Sequence, residues 1–112
     1  MTLTDFILAR IAEDEAVASR AGSFAPWSEP FQTDNYGHLT VQPDRVLAEC
    51  EAKRRIVEWH KPLPGLGGYA ANCAGCWEDG GEDGAPLYPC RNIRWLAAVY
   101  ADHEDYDESW RP

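Results

Sequence analysis

A chain of 112 residues has room for one modest hydrophobic core, a size at which a metal or a disulfide often supplements burial. Nineteen acidic against ten basic side chains leave a formal charge of −9, which excludes broad electrostatic attraction to nucleic acid or anionic lipid. No apolar run approaches the roughly 20 residues that span a bilayer, and the N-terminus lacks the basic, apolar and small-residue regions of a signal peptide, so a soluble, cytoplasmic protein is expected.

The first periodic segment opens at Thr4-Asp5, where Thr2 or Thr4 can accept a hydrogen bond from a free backbone N–H and Asp5 suits the first turn. Leu3, Ile7, Ile11 and Ala18 recur at helical spacing, flanked by Phe6 and Val17, and Gly22 is placed to close the helix. Glu13-Asp14-Glu15 reads as a solvated face of that helix rather than as an acid–base cluster. From Ser23 to Gln42 the period breaks at Pro26, Pro30 and Asn35-Tyr36-Gly37, which predicts a loop that packs Phe24, Trp27 and Phe31 onto the helices and turns at Asn-Tyr-Gly. His38-Leu39-Thr40-Val41 alternates as one short strand does, although a strand without a partner has little stability. His38 is read as a surface histidine rather than a ligand.

The clearest element follows. Asp44, after Pro43, starts a helix with Val46, Leu47, Cys50 and Val57 on one face, and with Glu49 and Lys53, and Glu51 and Arg55, as opposite charges four apart. Lys53-Arg54-Arg55 is read as a salt-bridged face rather than a phosphate contact. The helix runs to about His60, because Pro62 disfavours helical geometry at Lys61 and has no N–H to donate. Residues 63–68 read as a flexible connector and residues 78–84 as a polar tip. Beyond Arg91, the spacing of Ile93, Leu96, Ala97 and Tyr100 predicts a third helix with Trp95 beside the stripe, and residues 102–110 are expected to add a helical turn or two that docks Tyr106 and Trp110. With no repeat and no linker, the expectation is a mainly α fold: one three-helix domain over residues 1–112 with a zinc-stapled loop and, at most, one short strand or hairpin.

In a reducing compartment the four cysteines read as metal ligands or core thiols rather than disulfides. Cys73-Ala74-Gly75-Cys76 and Cys90 place three thiols in eighteen residues. Two thiolates separated by two residues can face one ion from a tight turn, which Gly75 permits at little steric cost. Cys90 immediately precedes a helix, where free N–H groups and the dipole favour a thiolate. The fourth ligand is constrained by helix geometry. Cys50 and His60 lie ten residues apart on one helix, about 15 Å along its axis, so only one of them can join an ion whose ligands nearly touch. Cys50 sits within the apolar face, where a thiol behaves as a small hydrophobe, and His60 stands at the helix end. The favoured set is therefore His60, Cys73, Cys76 and Cys90 around a structural zinc, with Cys50, a carboxylate or water as alternatives for the fourth position and a metal-free chain as the remaining alternative. A redox pair would open a helix after a strand, which the Gly-rich approach to Cys73 lacks. A zinc deaminase would need His-x-Glu and Pro-Cys-x-x-Cys, neither of which occurs. An iron–sulfur cluster on Cys50, Cys73, Cys76 and Cys90 has enough thiols, but the acidic tail differs from the basic tail of the WhiB-like regulators that use such a set.

Residues 7–15, Asp44-Arg45-Val46-Leu47-Ala48-Glu49, Glu51-Ala52-Lys53-Arg54-Arg55-Ile56, Pro89-Cys90, Tyr100-Ala101-Asp102-His103 and Trp110-Arg111-Pro112 together resemble the small actinobacterial and actinophage proteins grouped as domain of unknown function 6221. The resemblance implies a source and a recurring architecture, with a histidine after the central helix and three later cysteines, but no reaction. It also implies an aliphatic residue where Cys50 stands.

The expected function is that of a small acidic, zinc-stabilised protein-interaction module, a phage accessory or regulatory protein with a basic protein partner and no direct nucleic-acid binding. No Ser, His and Asp arrangement or phosphate loop points to catalysis. The alternatives are an iron–sulfur or redox regulator, and a small metalloenzyme whose three thiols leave an open zinc position with His60, His103 or a carboxylate as base.

Overall fold

A computed structural model describes residues 1–21, 31–63, 71–78 and 86–112. The expected roles of Gly22, Phe24 and Trp27, the connector over residues 64–68 and most of the polar tip lie outside the described residues.

The first helix, α1 (Leu3–Arg20), begins with a reciprocal cap. Thr2 Oγ1 accepts from the Asp5 N–H at 3.1 Å, and the Asp5 carboxylate accepts from the Thr2 N–H at 3.2 Å, so two otherwise orphaned donors are satisfied. Those Thr2 bonds hold the Asp5 carboxyl below its ordinary range. Leu3, Phe6, Ile7, Ile11 and Ala18 are buried as the periodicity predicts, whereas Val17 is 59% exposed and belongs to the solvent side. Arg10 is buried as well, because its guanidinium lies 5.3 Å from the Phe6 ring centroid, donates to Glu13 at 2.9 Å and meets the His103 ring.

Residues 31–41 form a hairpin rather than a lone strand. β1 (Phe31–Thr33) pairs antiparallel with β2 (Leu39–Val41), Gln32 opposite Thr40. Asp34 Oδ1 accepts from the N–H groups of Tyr36 and His38, each at 2.9 Å, and Gly37 takes the positive φ of 80° that closes the turn. Phe31 does not enter the helical core: it is half exposed, with the Arg45 guanidinium 5.2 Å from its ring centroid.

α2 (Pro43–Trp59) has Pro at its first turn, where a missing N–H costs nothing, and buries Pro43, Cys50 and Val57 against α1. Its charges pair differently from the simple spacing rule. Glu51 and Arg55 do meet at 2.8 Å, but Glu49 takes Arg45, and Lys53 reaches across to the Tyr100 hydroxyl at 3.3 Å. Arg54 Nε donates to Glu15 at 2.8 Å, and Asp14 accepts from the Tyr100 hydroxyl at 3.2 Å. Asp14 and Glu15 are consequently half-buried and tie α1 to Tyr100 and to α2, instead of forming the solvated face their neighbours suggest.

After two short strands, β3 (Pro62–Leu63) and β4 (Asn72–Cys73), come α3 (Ala74–Glu78) and α4 (Arg91–Ala98). The described residues thus hold four α-helices and two antiparallel hairpins in a predominantly α fold; α3 and the second hairpin are additions to the expected three helices. Ile93 and Ala97 of α4 close the core against α1 and α2. α4 stops before Tyr100, and residues 99–107 return as turns to a single 3₁₀ turn, Glu108–Trp110. This tail wraps Phe6, whose ring is met by those of Tyr100, His103, Tyr106 and Trp110 at centroid distances of 5.2 to 6.4 Å. Among the described residues no helix is long and apolar enough to cross a membrane.

Candidate metal centre

Three separate pieces of chain are laced together by backbone hydrogen bonds at one end of α2. β3 pairs with β4 in the register Pro62 to Cys73 and Leu63 to Asn72. The Ala74 N–H donates to Lys61 O at 2.9 Å, the Cys73 N–H to Pro86 O at 2.9 Å, and the Tyr88 N–H to Ala71 O at 2.8 Å. The Tyr88 hydroxyl in turn accepts from the Thr4 N–H at 3.1 Å and contacts the Thr4 hydroxyl, tying this region to the start of α1. Nothing in the sequence around Tyr88 announced that link, which spans 84 positions.

Each donor side chain is placed by a break in secondary structure. His60 is the C-cap of α2, its N–H still bonded to Ile56 O at 3.0 Å, so its ring leaves the helix toward the incoming β4. Cys73 ends β4 and Cys76 lies one helical turn later in α3, which brings both sulfurs to the same side. Cys90 is the N-cap of α4. Gly75 lies hard against the end of α2: a Cβ there would stand 2.5 Å from Trp59 Cδ1, 2.8 Å from Trp59 O and 3.0 Å from His60 Nδ1. Its φ is not positive, so its role is close approach rather than turn geometry, a correction to the sequence reading.

The four side chains converge, with their donor atoms all within 4.8 Å of one another. His60 Nδ1 lies 3.2 Å from Cys73 Sγ, 3.7 Å from Cys76 Sγ and 3.6 Å from Cys90 Sγ. A tetrahedral ion with metal–sulfur bonds of about 2.3 Å and metal–nitrogen bonds of about 2.0 Å separates a nitrogen from a sulfur ligand by about 3.5 Å. The observed spacings bracket that value, so the cluster could hold a metal ion. Cys73 and Cys90 are buried, and Cys76 and His60 are half-buried.

The electrostatics of the donor set bear on the same question. Burial pushes the Cys76 thiol up to about 12, with a hydrogen bond to Cys73 and the nearby Cys90 and Cys73 sulfurs adding to it. Burial raises the Cys90 thiol too, against the opposing pull of the Ile93 N–H at the start of α4. Cys76 and Cys90 thus resist ionising on their own, and a cation held among the sulfurs would supply the missing positive charge.

The other candidates lie elsewhere. Cys50 is buried between α1 and α2, its sulfur 4.0 Å from Ile11 O, and burial raises its thiol as well. His38 is exposed and bonds Asp34 in the first hairpin at 3.1 Å. His103 is occupied by Arg10 and by the Asp105 N–H at 3.0 Å.

Over residues 1–112 the chain matches the family described as Family of unknown function (DUF6221). No curated protein and no solved structure matches it. The chain belongs to the DUF6221 family.

Proposed function

We propose that this member of the DUF6221 family is a small zinc-stapled protein-interaction module, a single domain in which His60, Cys73, Cys76 and Cys90 hold a structural zinc. The spacing of His60 Nδ1 from the three sulfurs, 3.2, 3.7 and 3.6 Å, carries this reading. Three thiolates and one imidazole are a usual structural zinc set, and four protein donors leave no position for a reacting water. Zinc bound there would supply a tetrahedral cross-link between the end of α2, the β4–α3 turn and the start of α4. His60 presents Nδ1, Cys73 and Cys76 supply paired sulfurs from one turn, and Cys90 is steadied by the first N–H groups of α4. The net charge of −9 suits a basic protein partner in the cytoplasm, in an accessory or regulatory role of the kind phages use.

Elemental analysis of protein purified anaerobically tests the metal: one zinc per chain, no iron and no colour are expected. In the cobalt-substituted protein, a tetrahedral thiolate spectrum indifferent to added anions is expected. Iron with sulfide would replace this reading with a cluster regulator, and an anion-sensitive cobalt spectrum would replace it with an open catalytic position. Saturable binding to a basic polypeptide that weakens with salt tests the partner; its absence at low salt would remove the basic-partner assignment.

A further inference from the structure

A groove of about 550 Å³ runs along the surface where the chain enters α4, lined by Pro86, Leu87, Pro89, Arg91, Arg94 and Pro112 over the buried Cys90. Leu87 is 57% exposed on its wall, and Trp95, 56% exposed, stands under the Arg91 guanidinium at 5.9 Å from the ring centroid. The charge here is opposite to that of the chain as a whole. Arg10, Arg45, Arg54, Arg55, Lys61 and Arg111 each pair with a carboxylate of the chain itself. Arg91 and Arg94 pair with none among the described residues; Arg94 spends only its Nε, on Pro89 O at 3.2 Å, leaving its two terminal nitrogens to face other acceptors. Two guanidinium groups beside a proline and leucine wall form an apolar trough with an anion clamp at its edge.

We propose that this groove docks a short apolar peptide segment of a protein partner that carries a carboxylate side chain, the carboxylate bridging Arg91 and Arg94 and the apolar neighbours lying on Pro86, Leu87 and Pro89. Charge complementarity selects this occupant. A basic segment, which the net charge of −9 would attract from a distance, meets two unpaired cations at this place. The repulsion that an acidic segment feels from remote carboxylates is screened beyond about 8 Å at physiological salt, whereas contact with the guanidinium forks is not. Rigid prolines on the wall lower the ordering cost of binding. The inference is independent of the metal assignment and places a second, acidic contact on the interaction module.

The test is amide NMR of the full chain titrated with a synthetic peptide of alternating leucine and glutamate, its glutamine counterpart and its lysine counterpart. Saturable shifts at Leu87, Arg91, Asn92 and Arg94 are expected with the glutamate peptide alone. Arg91→Gln, an exposed position whose fold is checked by thermal unfolding, is expected to weaken that binding by about ten-fold or more, as is Leu87→Ser. Equal shifts with all three peptides, or none with any, overturn the proposal. A ten-fold gain in affinity in Glu82→Gln/Asp83→Asn overturns it in favour of the chain's own carboxylates as occupant. Self-association through this face that Leu87→Ser abolishes overturns it in favour of a second copy.

Discussion

Gly75→Ala isolates the steric fit on which the proposed metal centre depends. The added Cβ would meet Trp59 Cδ1 at 2.5 Å, Trp59 O at 2.8 Å and His60 Nδ1 at 3.0 Å. The half-exposed Trp59 ring can swing aside. The Trp59 carbonyl belongs to the last turn of α2 and has no such freedom, and His60 Nδ1 is itself a proposed zinc ligand. Overpacking of this kind costs about 1–3 kcal/mol. Alanine is the better helix former by about 1 kcal/mol, and Gly75 lies inside α3 without a positive φ, so this gain offsets part of the clash. The clash prevails, by up to about 2 kcal/mol, because relief requires α3 to back away from α2 and to carry Cys76 with it. At about 1.4 kcal/mol per factor of ten, zinc affinity should fall by up to about 30-fold. A chromophoric chelator competing for the metal measures this directly, with thermal unfolding of the loaded protein alongside. Affinity equal to or tighter than that of the parent chain would refute both the steric argument and the role of His60.

The remaining predictions use other parts of the molecule. His60→Ala should weaken zinc binding by more than about 100-fold, whereas Cys50→Ala should keep full zinc stoichiometry and lose about 1 kcal/mol of stability from the buried α1–α2 contact, read by metal analysis and thermal unfolding. Zinc lost in the cysteine variant and kept in the histidine variant would reverse the ligand assignment. Burial, and then the Asp14 carboxylate that accepts its hydroxyl, raise the Tyr100 phenol above its ordinary value of 10.0. The folded chain thus keeps a proton that the unfolded chain sheds, so this contribution to stability is complete below pH 10 and is lost as pH rises toward the folded value. Tyr100→Phe should flatten the alkaline end of the stability profile, and a tyrosinate titration in which all tyrosines ionise together would contradict the assignment.

The parts of this fold visible in the sequence are those governed by local rules. A period of 3.6 residues, a capping Thr2 or Thr4 and a first-turn Asp5 mark α1, and Pro43 and Pro62 bracket α2. Cys-x-x-Cys spacing and the length of α2 brought His60, Cys73, Cys76 and Cys90 forward as one group, and the structure gathers those four while leaving Cys50 in the core. What stayed hidden depends on partners distant in sequence. Arg10 carries no local sign of its burial because the His103 that meets it lies 93 positions away, and Lys53 prefers Tyr100, 47 positions on, to the nearby Glu49. β1 is three residues long, too short to alternate, and Phe31 within it looks like core material until Arg45 is seen beside it. α3 has five residues, one of them Gly75, and no hydrophobic period could register over that length.

The placement of the proposed centre also says which part of the chain would depend on it. Leu3, Phe6, Ile7 and Ile11 pack with Cys50, Val57, Ile93, Ala97 and Tyr106, so α1, α2 and α4 share an apolar core, which Cys73 and Cys90 join from the side of the donor cluster. The described residues between α2 and α4 have little such support. β3 and β4 are two residues each, and Leu63, Trp77 and Leu87 around them are substantially exposed. These residues are held by backbone hydrogen bonds among Lys61, Ala71, Cys73, Ala74, Pro86 and Tyr88, by the Tyr88 hydroxyl on Thr4, and by whatever joins the three sulfurs to His60. Chelation should therefore act locally first. Amide exchange should accelerate at Cys73, Ala74 and Tyr88, the donors of those bonds, while the core-facing turns of α1 and α2 remain protected. Simultaneous loss of protection in α1 and at Cys73 would mean that the helical core cannot stand alone, and the metal would then be a condition of folding for the whole chain rather than a clamp on one end of it.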